Sequence, residues 1–368
     1  MDRWDLLFTA SGALDAALLA ALGVAVARAR HRGLLAATAF ATWAVKLALL
    51  RAAGLQPHFG LIHVLWLDGV VGVPAFGLAL LAAGRRLPRP RRRLVLGVPC
   101  LLLAPVGAYA AYVEPDRIVV ERTEVPVAPA RAGDDPVRLI VLSDLQFRRV
   151  GDHEREAVRR AMALRPDIVL LPGDVHQDST RRFREELPRI RALLRGLRAP
   201  GGVFFAQGDA DGPQESRLLT QGTGVRWLHD EVATVRVRDR VLRIGGIQLA
   251  YWEPRARALR RRLERLPGED DVRLLLAHRP DPVLELRRDS RIDLVVAGHT
   301  HGGQLQLPLV GPLSTATHVP RDVAAGGLHD VGGGRRIYVS RGIGVERGQA
   351  PRFRLGAPPE VSLLVLDG

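Results

Sequence analysis

The chain has 368 residues, 47% of them hydrophobic, and a formal net charge of +14. That length accommodates two units with separate cores, and the single cysteine, Cys100, excludes an intramolecular disulfide. The charge is almost wholly arginine, with nine of those arginines in two short stretches between apolar segments. No run of base-stacking aromatics accompanies the remainder, which argues against a nucleic-acid partner.

Four apolar stretches open the chain, at about 5–27, 34–50, 59–83 and 94–113. Each is near the roughly 20 residues that cross a bilayer as a helix. The start, Met1-Asp2-Arg3-Trp4-Asp5, lacks the basic segment of a signal peptide. The first loop carries Arg28, Arg30 and Arg32, and the third carries Arg85, Arg86, Arg89, Arg91, Arg92 and Arg93. The second has only Arg51 and His58. Cytoplasmic loops collect Arg and Lys, so loops one and three are expected in the cytoplasm, and everything after residue 113 on the extracytoplasmic side. Asp15, Lys46, His63 and Asp68 fall inside the spans. Pairing between helices is expected of them, with Lys46 snorkelling outward; a polar groove for a lipid headgroup is the alternative.

Residues 114–136 hold four prolines and read as a linker with one extended segment near Arg117–Val125. From residue 137 to 368 the rhythm is strand, loop, helix. Strands are expected at Val137–Leu142, Ile168–Leu171, Gly202–Ala206, Arg273–Leu276 and Leu294–Ala297. Helices are expected at Asp152–Leu164, Arg182–Leu197 and Arg255–Leu266, and antiparallel strands across Arg226–Leu249. This alternation indicates an α/β fold with buried sheets.

Asp144, Asp174, Asp209, His278, His299 and His301 each follow the C-terminal end of a short apolar run. Open α/β sheets place their sites at that edge. Six Asp/His donors exceed the needs of one zinc-like ion and suit two divalent ions (Mn, Zn, Fe or Mg) sharing a carboxylate. Such a pair clamps a phosphoryl group and activates a water. An isolated strand-end aspartate is usually a cap or turn residue; six donors in register are not explained that way.

Gly298-His299-Thr300-His301-Gly302-Gly303-Gln304, with Asp144-Leu145-Gln146, Gly173-Asp174, Gly208-Asp209 and the lone His278, resembles the calcineurin-like metallophosphoesterases, in particular their membrane-associated branch. Tyr338–Gly344, Pro351-Arg352-Phe353 and Pro358-Pro359-Glu360-Val361 resemble that branch's closing segments. The resemblance implies a four-layer α/β/β/α sandwich and hydrolysis of a phosphoester by a metal-activated water. It implies one metal at Asp144, Asp174 and His301, with Gln146 at a ligand position. The other metal would lie at Asp174, Asp209, His278 and His299.

Three positions depart from the family pattern. Gln146 stands where a histidine ligand is usual, giving a neutral and weaker donor. Gly208-Asp209-Ala210 replaces Gly-Asn-His, which adds charge at Asp209 and removes the histidine that assists the leaving group. His176 and Asp211 are candidate substitutes for that acid; a substrate with a good leaving group, such as a pyrophosphate, would need none. The expected activity is therefore phosphodiesterase-type hydrolysis at the cell membrane. Its partners would be membrane lipids and a lipid-linked or envelope phosphoester. A non-catalytic receptor keeping a partial metal site, and a cytoplasm-facing nucleotide-lipid hydrolase of reversed topology, are the alternatives.

Overall fold

The computed structural model describes residues 3–28, 32–83 and 90–367. Arg30, Arg85, Arg86 and Arg89, and the start at Met1 and Asp2, lie outside the described residues. Two compact units form. One comprises the described residues up to Val113 together with Glu346–Arg352; the other comprises Glu114–Val345 and the chain from Phe353 onward.

In the first unit, four helical segments are long and apolar enough to cross a bilayer: Arg3–Arg28, Gly33–Ala52, Phe59–Ala83 and Arg93–Asp116. The third contains a π turn over Asp68–Gly72. Pro74 follows it and supplies no N–H to the ladder, a recognised cause of such a shift. Lys46 does not snorkel. It is 7% exposed and pairs with Asp15, with Asp68 Oδ1 at 3.8 Å. Trp43 Nε1 donates to Asp68 Oδ2 at 2.8 Å. The helices thus pair Lys46 with Asp15 and Asp68 among themselves, as buried charges require. His63 stacks on Phe8 with ring centroids 3.8 Å apart, and its Nδ1 lies 3.2 Å from the Gln349 carbonyl.

The second unit is built on fourteen strands among the described residues. In chain order they are β1 (Val119–Pro126), β2 (Val137–Val141), β3 (Ile168–Leu171), β4 (Val203–Phe205), β5 (Val225–Trp227), β6 (Glu231–Val237) and β7 (Arg240–Gly246). Then come β8 (Val272–Leu276), β9 (Leu294–Ala297), β10 (Gln306–Leu307), β11 (Gly311–Pro312), β12 (Gly327–Asp330), β13 (Arg336–Val339) and β14 (Glu360–Asp367). Two six-stranded sheets result, ordered β1-β14-β2-β3-β4-β5 and β12-β13-β9-β8-β7-β6.

Strand periodicity decides the layers. Leu139, Val141, Ile168 and Leu170 of the first sheet meet Leu242, Ile244, Leu274 and Leu294 of the second in one core. The alternate residues Ile140, Val169 and Leu171 face helices Asp152–Ala163 and Thr180–Arg195 through Ala157, Phe183, Ile190 and Leu194. On the far side, Leu275, Val295 and Ile337 pack against Leu259 and Leu263 of helix Pro254–Arg265. Both faces of each central strand are therefore apolar, and the layers run helix, sheet, sheet, helix. Burying each Leu or Ile of these cores is worth roughly 1.5–3 kcal/mol.

Two placements differ from the local pattern. Val225–Trp227 does not join the antiparallel pair; it adds as a parallel edge strand beside β4, while the hairpin turning at Arg238-Asp239 belongs to the other sheet. The Pro-rich stretch supplies β1, an edge strand pairing in parallel with β14. The last strand, β14, is inserted beside β2 in antiparallel register, with Leu364 opposite Leu139.

Candidate metal centre

The donors sit where the C-terminal edges of the two sheets meet. Asp144, Asp174 and Asp209 follow β2, β3 and β4; His278 follows β8, and His299 and His301 follow β9. Beyond the strand ends the ladder continues, with Asp144 N–H donating to Gly173 O at 3.1 Å and Gly298 N–H to His278 O at 3.0 Å. Asp144, Gln146, Asp174, His299 and His301 all adopt positive φ, between 37° and 70°. Non-glycine residues rarely take that conformation, and clusters of it mark sites where the fold holds side chains in a strained direction.

Glycines make the approach of these loops possible. A Cβ at Gly208 would lie 2.1 Å from Asp174 Oδ1 and 2.4 Å from the Asp174 backbone nitrogen. The Gly208→Ala variant should therefore melt measurably below the wild type, by about 1–3 kcal/mol, and lose bound metal. A wild-type melting temperature with full metal content would refute the tight approach.

His278 and His299 have their tautomers set by backbone carbonyls. His278 Nδ1 donates to Pro172 O at 2.7 Å, and His299 Nε2 donates to Ala316 O at 3.1 Å. The remaining nitrogens converge. His299 Nδ1 lies 3.2 Å from His278 Nε2 and 3.0 Å from Asp209 Oδ2, which is itself 3.2 Å from His278 Nε2. Asp174 Oδ2 lies 3.6 Å from His278 Nε2. Tetrahedral bonds of 2.0–2.1 Å separate donor atoms by about 3.4 Å, so the Asp209, His278 and His299 atoms, which lie 3.0 to 3.2 Å from one another, fit one divalent ion. Carbonyl-held ring nitrogens are the usual support of ligating histidines.

A second group, Asp144, Asp174 and His278, is fully buried and has its ligand atoms within 4.8 Å of one another. His301 Nε2 lies 3.8 Å from Asp144 Oδ1, and Gln146 Nε2 donates to Asp174 Oδ2 at 2.9 Å. Asp174 Oδ1 accepts from Ala210 N–H at 2.7 Å. His278 is common to both groups, and Asp174 Oδ2 approaches the first group through it.

Electrostatics distinguish the two groups. Burial would raise Asp209, but hydrogen bonds from His278, His299 and Arg279 outweigh it and hold the carboxyl far below its usual range. His278 is penalised by burial yet pushed up to about 10 by Asp174, Asp209 and Asp144. Burial pushes Asp144 up to about 6, partly offset by His278. His301 is driven well below its ordinary value by burial and by the Arg354 guanidinium.

Three residues at the site were not among the sequence candidates. Arg279 binds Asp209 through two nitrogens at 2.5 and 3.2 Å, so the charge that distinguishes Asp209 from a neutral asparagine is matched by a cation. Arg354, fully buried, lies 3.3 Å from His301 Nδ1. Ala316 holds His299. Only Arg279 had a sequence signal, its position next to His278; the other two arrive from distant loops.

His176 and Asp211 are placed differently from the donors. His176 is 4% exposed, its ring edge-on to Phe147 and Phe183. Asp211 is 1% exposed and accepts from Val175 N–H at 3.1 and 3.2 Å; burial and the charge of Asp174 push it up to about 7. Both are built into the packing behind Asp174, whereas Asp209, His299 and Arg279 face the partly open side.

Residues 137–303 match the calcineurin-like phosphoesterase family. Phosphodiesterase YaeI of Escherichia coli (strain K12) is 29% identical over 286 residues, 75% of this chain and 98% of that protein. UDP-2,3-diacylglucosamine pyrophosphatase LpxG of Chlamydia trachomatis is 24% identical over 325 residues, 72% of this chain and 94% of that protein. A transmembrane protein with metallophosphoesterase domain from Danio rerio is 27% identical over 298 residues, and the match spans 75% of this chain and 63% of that protein. The family match falls on the very strands whose ends carry the donors, and residues 137–303 carry a calcineurin-like phosphoesterase domain, the fold unit of metal-dependent phosphoester hydrolases.

Proposed function

We propose that the chain hydrolyses a lipid-linked phosphoester or pyrophosphate, tethered by its four apolar helices to the cell membrane with the α/β unit on the extracytoplasmic side. The observation that carries the site is the convergence of Asp209 Oδ2, His278 Nε2 and His299 Nδ1 behind carbonyl-locked histidine tautomers, with Asp174 Oδ2 at 3.6 Å from His278 Nε2. One ion would be held by those four residues. A second would be held by Asp144, Asp174 and His301, with Gln146 beside it. When bound, the ions supply the Lewis acidity that neutralises phosphoryl charge and activates the attacking water.

The chain's own residues do the positioning. Ala210 N–H and the Gln146 amide aim the Asp174 carboxylate. His299 N–H, donating to both oxygens of Asp144 at 3.1 Å, ties the two sheet edges together. Arg279 grips both oxygens of Asp209, with Nη2 on Oδ1 and Nε on Oδ2, while Oδ2 also faces the two histidines. The lipid-linked substrate is supported by the membrane helices and by the named substrate of the LpxG relative. The extracytoplasmic side is supported by the arginine asymmetry of the loops.

The test compares UDP-2,3-diacylglucosamine with UDP-N-acetylglucosamine, which shares its pyrophosphate, using the full chain in detergent with Mn²⁺. Acylation is expected to raise kcat/KM at least about tenfold, the worth of about 1.4 kcal/mol of apolar contact. Equal turnover of both sinks the lipid reading. A C-terminal reporter active only in the cytoplasm would overturn the sidedness.

A further inference from the structure

An alkoxide leaving phosphorus needs a proton near neutral pH, and the donor cluster supplies none readily. His278 and His299 have one ring nitrogen on a carbonyl and the other in the donor cluster. Asp209 is taken up by His278, His299 and Arg279, and His176 and Asp211 are buried in packing. His318 is differently placed. Its side chain is 85% exposed, yet its ring is not free to turn, because Nδ1 donates to Asp281 at 2.8 Å.

Asp281 is a built support. Its side chain is 5% exposed and it lies three residues beyond His278. It accepts Thr317 Oγ1–H at 2.9 Å and His318 N–H at 2.8 Å besides the ring. The same loop presents Ala316 O to His299 Nε2 at 3.1 Å. Two residues span at most about 7 Å, so the His318 backbone stands within that distance of a residue touching the donor cluster. With Nδ1 on a buried carboxylate, Nε2 is the nitrogen left to solvent.

We propose that His318 is the general acid of the reaction, with Asp281 as its positioning residue. The inference rests on the hydrolase reading above. The attacking water's oxygen forms the new bond to phosphorus. The bond from phosphorus to the leaving oxygen breaks, and its electron pair goes to that oxygen, which takes the proton from His318 Nε2. The ring regains a proton from solvent, to which it is open. Hydrogen bonds from His318 and Thr317 outweigh burial and keep the Asp281 carboxyl below its usual range, so it stays an acceptor.

The test uses the full chain in detergent with Mn²⁺ and two esters differing only in leaving group, methyl 4-nitrophenyl phosphate and methyl phenyl phosphate. The phenyl ester, with the more basic leaving oxygen, depends more on an acid. His318→Gln should lower its kcat by about 10²-fold and affect the 4-nitrophenyl ester about tenfold less. Asp281→Asn should give the same selective pattern in weaker form. Equal loss on both esters would assign His318 a structural role and overturn the proposal, as would undiminished turnover of the phenyl ester. Wild-type protein inactive on both esters and on the pyrophosphate above would overturn the hydrolase reading, and this proposal with it.

Discussion

Asp174→Asn should empty the site of most of its metal and lower turnover by at least about 10³-fold. The substitution is close to isosteric, and the retained amide oxygen can still accept from Ala210 N–H, now 2.7 Å from Oδ1. What disappears is one full charge at a carboxylate of the Asp144, Asp174 and His278 group, 3% exposed and 3.6 Å from His278 Nε2. A loss of about 4 kcal/mol in transition-state stabilisation, the scale of metal electrostatics at a phosphoryl group, corresponds to that factor. Metal analysis of the purified variant and an aryl phosphodiester assay check it together. Wild-type metal content with wild-type turnover would remove Asp174 from the centre.

The largest effect on stability is expected at Arg354. This side chain is fully buried and serves as a hub for backbone carbonyls. Nε donates to Gly344 O at 2.9 Å, Nη1 to Ala357 O at 2.8 Å, and Nη2 to Arg341 O at 2.8 Å and Gly342 O at 3.2 Å. Burial lowers its pKa only to about 10, so it remains a cation at neutral pH. Arg354→Met fills the volume but leaves several buried carbonyls without donors, each costing about 1–3 kcal/mol. Because such losses are not additive, a total of about 3–5 kcal/mol is expected. In a unit of this size that is a fall in Tm on the order of 10 °C. Arg354→Lys should not restore it, since an ammonium lacks the planar fork that reaches four carbonyls. A melting curve of Arg354→Met superimposable on the wild type would show that the loop is held by other contacts.

The placement of these aspartates and histidines was legible in the sequence because each follows an apolar strand, and strand ends are local features. Buried runs such as Ile168–Leu171 and Leu294–Ala297 are apolar on both faces, so their boundaries can be read without knowing their partners. The four apolar helices were legible for the same reason. The insertion of β14 next to β2 was not, because any of several strands would accept Val361–Leu366 on pattern alone, and only the complete sheet selects its neighbours. His176 and Asp211 show what chain position leaves open. Their closeness in sequence to Asp174 and Asp209 suggested open positions, but a side chain two residues along can point into the packing, as His176 does between Phe147 and Phe183.

Chain order thus decides which residue types reach the sheet edge: aspartates after β2, β3 and β4, histidines after β8 and β9. It cannot decide which nitrogen of each histidine is available. Pro172 precedes His278 by 106 positions, and Ala316 comes 17 after His299. Both carbonyls arrive through folding, and they choose the tautomers. The same holds for Arg279 on Asp209 and His318 on Asp281, whose partners are 70 and 37 residues apart. Hydrogen bonds are short-ranged and directional, so the protonation and aim of a donor depend on the atoms the tertiary fold brings within about 3 Å, not on its neighbours along the chain.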